Sequence, residues 1–201
     1  MSKHDKEALR EAIIQASLEL GTQLGEEGLT MRGIAAKLGV SATALYQHFE
    51  SKTAILREIR IYGMQRLCED LRQSIGVADP VECLAAMCKR YVQFARDNPW
   101  LYRVLFEFEQ LDWSTLSQQE RESLLESFGL SHQIFQAGVA SGRFRALDPT
   151  IASFHMWAAT HGLSSLLISG RLSEKHALTP IRDENELIDA VIQSTLRGLS
   201  A

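Results

Sequence analysis

The chain has 201 residues, 45% of them hydrophobic and 23% charged, with a net charge of -4. That composition fits a globular protein of one moderate domain, or of a small domain joined to a larger one. It excludes a chain too polar to bury a core, and no apolar run reaches the length of a membrane span. Residues 1–7, M-S-K-H-D-K-E, are too polar for a secretory leader. Three cysteines, Cys68, Cys83 and Cys88, are odd in number and sit in apolar helical pattern. Reduced, buried thiols in a cytoplasmic protein are expected.

From Lys6 to Leu24, Leu9, Ile13, Ala16 and Leu20 repeat at helical spacing and mark an amphipathic helix. Gly25 and Gly28 close its connection to the next element. Thr30 then suits an N-cap, with Met31, Ile34, Ala35 and Leu38 behind it. Gly39 stops that helix where a left-handed residue is cheapest. Val40 buries the turn, and Ser41 caps a further helix expected to run to about Phe49.

On that helix, with Leu45 pointing inward, Phe49 lies roughly 40° away and also faces the core. Thr43 and Gln47 fall roughly opposite, Ala44 and Tyr46 flank them, and Ala42 is expected partly inward. The outer face thus offers a hydroxyl, a phenol and an amide, followed by His48, Ser51 and Lys52. Small neutral donors with a cation suit phosphate contacts and base edges in a major groove. An ordinary solvated face on a helical hairpin reads the same way.

The run from Leu29 to Lys52, L-T-M-R-G-I-A-A-K-L-G-V-S-A-T-A-L-Y-Q-H-F-E-S-K, resembles the DNA-binding signature of the tetracycline-repressor-like (TetR) family of bacterial transcriptional regulators. The resemblance is ungapped and extends more loosely back to Lys6. It implies an all-α homodimer, with an N-terminal helix-turn-helix domain and a larger C-terminal domain for ligand binding and dimerisation. It also implies phosphate contacts from Thr43, Tyr46, His48 and Lys52, base contacts from Arg32 and Gln47, and a methyl contact from Ala42. Gly21 and Glu26 depart from the family, which usually places aromatics there.

Charge argues the other way. Residues 1–55 hold six Lys or Arg against seven Asp or Glu, whereas a basic footprint usually marks a DNA binder. Affinity depends on cations placed at phosphates rather than on their sum. Arg10, Arg32, Lys37 and Lys52, with Lys3 and Lys6, are the candidates.

Ser51 opens a long helix to about Ile75, with Ile55, Ile59, Met64, Leu67 and Leu71 inside, expected to link a domain of residues 1–55 to one of 56–201. G-V-A-D-P breaks it at 76–80. Val81, Leu84, Cys88, Tyr91 and Ala95 form the stripe of a helix ending near Asp97. Asn98 is expected to cap the next, with Pro99 at its first position. After a turn at 112–117, Ser117 and Glu120 suggest a capping box for a helix to about Ala140. Asp148 caps and Pro149 opens a helix to about Ser169, and a polar connection at 170–183 leads to a last helix carrying Leu187, Ile188, Val191, Ile192 and Leu196. No strand pattern or internal repeat is visible, so an all-α fold of eight or nine helices is expected.

N-P-W-L-Y-R-V-L-F-E (98–107) and M-W-A-A-T-H-G-L-S-S-L (156–166) also resemble the C-terminal domain of a TetR subgroup named for Trp-His-Gly, here Trp157, His161 and Gly162. In the family the last two helices form a four-helix bundle between subunits. Ala158, Gly162, Ile188, Val191 and Ile192 are the residues this assigns to the dimer interface. Ala158 and Gly162 share one helix face, which suits close helix approach across a dimer or within one subunit.

Trp100, Tyr102, Phe106, Phe108, Trp113, Phe128, Phe135, Phe154 and Trp157 make either a core or an apolar cavity with few polar groups. Read as a cavity for a largely apolar small-molecule effector, its residues are Trp100, Arg103, Phe106, Phe128, Phe135, His155 and His161. His161 is equally readable as a hydrogen-bonded core residue. His155 and His161 are six apart, poor spacing for a shared metal, and no metal or cofactor motif appears. No nucleophile or phosphate-loop motif appears either, so enzymatic activity is not expected. The competing functional class is a helical protein–protein interaction module without operator binding.

Overall fold

The structure, a computed structural model, describes residues 3–107, 114, 116, 118–178 and 180–201. Those residues form nine α-helices and no strand: Lys3–Gly28 (α1), Met31–Leu38 (α2), Ala42–Tyr46 (α3), Lys52–Arg72 (α4), Pro80–Asp97 (α5), Pro99–Phe106 (α6), Gln118–Ala140 (α7), Pro149–Ile168 (α8) and Glu184–Leu199 (α9). The all-α expectation holds. Phe108, Trp113 and the Ser117 half of the expected capping box lie outside the described residues.

The chain divides into two compact units. One comprises Met1–Met64 and Pro99–Asp112, the other Gln65–Asn98 and Trp113–Ala201. A boundary at 55 therefore falls inside α4, and α6, which the sequence places in the C-terminal body, belongs to the first unit.

The reason is visible in the first unit's core. Ile13 and Ala16 of α1, Ile34 and Ala35 of α2, Leu45 of α3, Phe49, and Ile55 and Ile59 of α4 are all buried. Leu9, Leu20 and Leu38, expected inside, are only half-buried. Helix α6 closes this small core. A Cβ on Gly21 would lie 2.2 Å from Trp100 Cζ2, so the indole occupies the space that a side chain at position 21 would fill. The buried Arg60 fastens the same helix by donating from Nε to the Val104 carbonyl at 2.9 Å. The aromatic missing from α1 is thus supplied by α6. Gly25, with φ 71, kinks the end of α1 in a backbone region that favours glycine.

In the second unit, α5 is the central element. Cys83, Leu84, Met87, Cys88, Tyr91, Val92 and Phe94 are buried along it, and α7, α8 and α9 all pack on it. Asp79 caps α5, Asp148 caps α8 and Asp183 caps α9 through their side chains. Asn98 does not cap α6. Its side-chain amide donates back to the Phe94 carbonyl at 3.1 Å, closing the C-terminus of α5 instead. Ser153, Thr160 and Ser164 are buried in α8 and donate to carbonyls four residues earlier, so these hydroxyls are satisfied within their own helix.

Candidate nucleic-acid interface and ligand cavity

The hairpin forms as its caps require. Thr30 Oγ1 accepts from the Gly33 N–H at 3.0 Å, and Ser41 Oγ accepts from the Ala44 N–H at 3.1 Å. Gly39 is left-handed at φ 67, and the Val40 N–H reaches the Ala35 carbonyl at 3.0 Å. The second helix is shorter than expected, stopping at Tyr46 rather than Phe49. Its last turn tightens, with the His48 N–H on the Leu45 carbonyl at 2.9 Å. This turns Phe49 into the core at 2% exposure and leaves Ser51, two residues on, to cap α4 through the Ala54 N–H at 3.1 Å.

Shortening changes what the helix displays. Ala42, expected partly inward, is exposed, because Leu45 is the only buried residue of α3. Thr43, Tyr46, Gln47 and Arg32 are exposed as well, and His48 and Lys52 are half-buried. The predicted outer face is therefore present.

The cations are less free than the sequence suggests. Arg10 pairs with Glu58 at 2.5 Å, donates to the His48 carbonyl at 3.3 Å, and stacks 4.4 Å over the Phe49 ring. It braces the turn from within. Lys37 pairs with Glu19 at 2.8 Å. Lys52 donates to the Glu26 carbonyl at 2.8 Å and lies 3.8 Å from that residue's carboxylate. Among the described residues Arg32 has no ion-pair partner.

The second unit contains a cavity of about 50 Å³ lined by Leu71, Leu84, Met87, Cys88, Tyr91, Ser127, Phe128, Ser131, Ser153, Met156, Trp157 and Thr160. Trp157 Nε1 donates to Tyr91 Oη at 3.2 Å, and Tyr91 Oη lies 3.2 Å from His161 Nδ1. Burial pushes the Cys88 and Cys68 thiols up to about 11, and Cys83 upward too, so all three free cysteines stay protonated near neutral pH. No group of three potential metal ligands occurs among the described residues, and no described helix is long and apolar enough to cross a membrane.

Of the seven residues proposed for the cavity, Phe128 lines it and His161 bonds to its wall. Trp100 is buried in the first unit against Gly21. Arg103 pairs with Glu107 on the same α6, and Phe106 packs 5.0 Å from Tyr102. Phe135 is 1% exposed against Phe144, and His155 is exposed.

Family models match both parts of the chain: "Bacterial regulatory proteins, tetR family" over residues 13–59 and "Tetracyclin repressor-like, C-terminal domain" over residues 84–194, more than half its length. The chain belongs to the tetR family of bacterial regulatory proteins.

The HTH-type transcriptional regulator RutR of Escherichia coli K12 is 30% identical over 158 residues, 76% of this chain and 72% of that one. The class C tetracycline repressor of E. coli is 53% identical over 47 residues, 23% of this chain and 22% of that one. The chain spans less than half the length of two of the curated relatives it matches. A Rhodococcus sp. RHA1 protein of unknown function shares the fold, with a TM-score of 0.82 at 23% identity, covering 96% of each chain.

Two groups of residues depart from the sequence-based assignment. Tyr91, Cys88 and Thr160 line the cavity, yet nothing local marks them. Tyr91 stands 66 residues from Trp157 and 70 from His161, and only the packing of α5 on α8 joins them. At the proposed dimer face, Ala158 is exposed, Gly162 has open space where a Cβ would stand, and Val191 is half-buried. Ile188 and Ile192 are 7% and 1% exposed, buried within the second unit.

Proposed function

We propose that the protein is a one-component repressor that binds a palindromic operator as a dimer and is released by a small molecule held in its second unit. The observation that carries this reading is the outward face Thr43, Tyr46 and Gln47, with Arg32 exposed on the preceding helix of the hairpin. Thr43, Tyr46, His48 and Lys52 grip phosphates, Arg32 and Gln47 meet base edges, and Ala42 offers a methyl contact. With Arg10, Lys37 and Lys52 already facing carboxylates, non-specific affinity is weak, and part of the specificity comes from DNA shape.

Two such units occupy successive major grooves, so half-site spacing matches the separation of the α3 helices. The dimer forms through α8 and α9, with Ala158, Gly162 and Val191 at the contact. A ligand that favours a different separation lowers operator affinity, and by linkage the operator lowers ligand affinity by the same factor. The protein acts where the chromosome is, in the cytoplasm.

The test is selection of bound fragments from a random duplex pool at two salt concentrations. A shared palindrome, recovered more weakly at the higher salt, is expected. A folded dimer that enriches nothing above background sinks operator binding and promotes the protein–protein interaction module.

A further inference from the structure

Beside the inner cavity lies an open groove of about 340 Å³ lined by Leu125, Phe128, Gly129, His132, Thr150, Ser153 and Phe154. Phe128 and Ser153 line both spaces. Phe128 packs 5.0 Å from Phe154 on the groove side and 5.3 Å from Trp157 on the cavity side. The Phe128 ring therefore stands between the two apolar spaces. The inner space alone has room for only a few water-sized groups.

Three hydroxyls of the inner wall are bonded within their own helices. Ser131 donates to the Phe128 carbonyl at 3.0 Å, Ser153 to Pro149 at 2.7 Å and Thr160 to Met156 at 2.8 Å. The Ser131, Ser153 and Thr160 hydroxyls thus have their protons engaged and keep oxygen lone pairs. Trp157 donates to Tyr91 Oη, which in turn lies within hydrogen-bond distance of His161 Nδ1. No Lys, Arg, Asp or Glu is among the described lining residues of either space. A carboxylate placed there would lose water, meet no cation and face acceptors. A ligand hydroxyl would instead donate to a lone pair already in place.

We propose that cavity and groove are two chambers of one slot divided by the Phe128 ring, and that its ligand is a neutral, elongated apolar molecule with an alcohol or phenol at its inner end. This rests on the ligand-responsive reading above and adds the chemistry of the ligand.

Calorimetry on the whole 201-residue chain with 4-butylphenol, 4-butylanisole and 4-butylbenzoate tests it, because the three share a body and differ in donor and charge. The phenol should bind at least about tenfold more tightly than the ether, which lacks the donor. The benzoate should show no saturable binding near neutral pH. Phe128→Ala should join the chambers and improve 4-octylphenol relative to 4-butylphenol, and Phe128→Leu serves if the alanine variant does not fold. Equal affinity for phenol and ether, binding of the benzoate as tight as the phenol, or binding of none of the three overturns the proposal. Operator release is scored separately. A phenol that binds in the predicted order without releasing DNA sinks the repressor-release reading and leaves the ligand chemistry standing. Release by the benzoate with the phenol inert does the reverse.

Discussion

Among the described residues, the two units cap their helices with different chemistry. In the first, Thr30, Ser41 and Ser51 offer hydroxyls to the N–H groups of Gly33, Ala44 and Ala54. In the second, Asp79, Asp148 and Asp183 offer carboxylates to Val81, Thr150 and Asn185. Both chemistries satisfy orphan donors about equally well, and the carboxylate also complements the positive end of the helix dipole. Stability alone would therefore favour aspartate throughout. A neutral cap leaves that positive end uncovered for an external anion, so the hydroxyl caps match a unit that meets phosphates. The cores differ too. The first unit is small and completes itself with α6, drawn from residues 99–106, whereas long helices in the second bury one another.

The largest effect should come from removing what the small core takes from α6. Trp100→Ala leaves the space over Gly21 empty and should cost about 3–5 kcal/mol in urea denaturation. Trp100→Phe should cost under about 1.5 kcal/mol, since a ring remains. It also removes an indole N–H that is buried without a partner among the described residues. Equal costs would mean that the ring's volume is not what completes this core.

The caps come next. Ser41→Asp should leave stability within about 0.5 kcal/mol, both being good caps, yet lower operator affinity at least about tenfold by setting a carboxylate against phosphate. Asp148→Ser, the mirror change in the second unit, should leave operator binding alone. Filter binding on both variants decides it. If Ser41→Asp binds DNA as tightly as the wild type, the sorting of caps has nothing to do with phosphate.

These two variants also divide what the sequence could disclose from what it could not. The caps at Thr30 and Ser41 and the stop at Gly39 are local, each set by residues within three or four positions, and they stand as expected. The end of α3 is not legible locally, because the pull that shortens it, Phe49 into the core and Ser51 onto α4, comes from the next element. Trp100 reads as a cavity residue from composition, and its place over Gly21 depends on chain some 80 positions away. The relay of Tyr91, Trp157 and His161 is equally non-local. Cation placement was the least legible, since a sequence lists charges but not that Arg10, Lys37 and Lys52 already face Glu58, Glu19 and Glu26.

Glu26 offers a smaller effect of opposite sign. It stands 3.8 Å from the Lys52 ammonium and competes with phosphate for it. Glu26→Gln should raise operator affinity a few-fold and steepen the salt dependence by up to about one unit, while Lys52→Ala should weaken binding and flatten it by about one. Fluorescence anisotropy across a salt series reads both. An unchanged slope in Glu26→Gln would mean that Lys52 reaches phosphate regardless of its neighbour.

The smallest effect concerns acid, and it follows from which caps can titrate. The Asp79 carboxyl is held below its ordinary value by the Arg143 guanidinium and then by the Val81 N–H. Asp148 is held down by the N–H groups of Ile151 and Thr150. A depressed folded value means that the unfolded chain takes up protons first as pH falls. What these ionised caps contribute is therefore present above the unfolded carboxyl value, about pH 4, and lost as pH drops through the lower folded value. Asparagine caps as well as aspartate but does not titrate. An Asp79→Asn, Asp148→Asn double variant should accordingly lose stability less steeply than the wild type below about pH 4. The shift should be small, because Asp148 is exposed and Asp79 only half-buried, so water screens both. The hydroxyl caps of the first unit have no charge to lose in that range, so Thr30→Asn and Ser41→Asn should leave the acid limb where it is. Superimposed acid-unfolding curves for the double variant and the wild type would show that the aspartate caps act by hydrogen bonding alone, with their charge adding nothing to the fold.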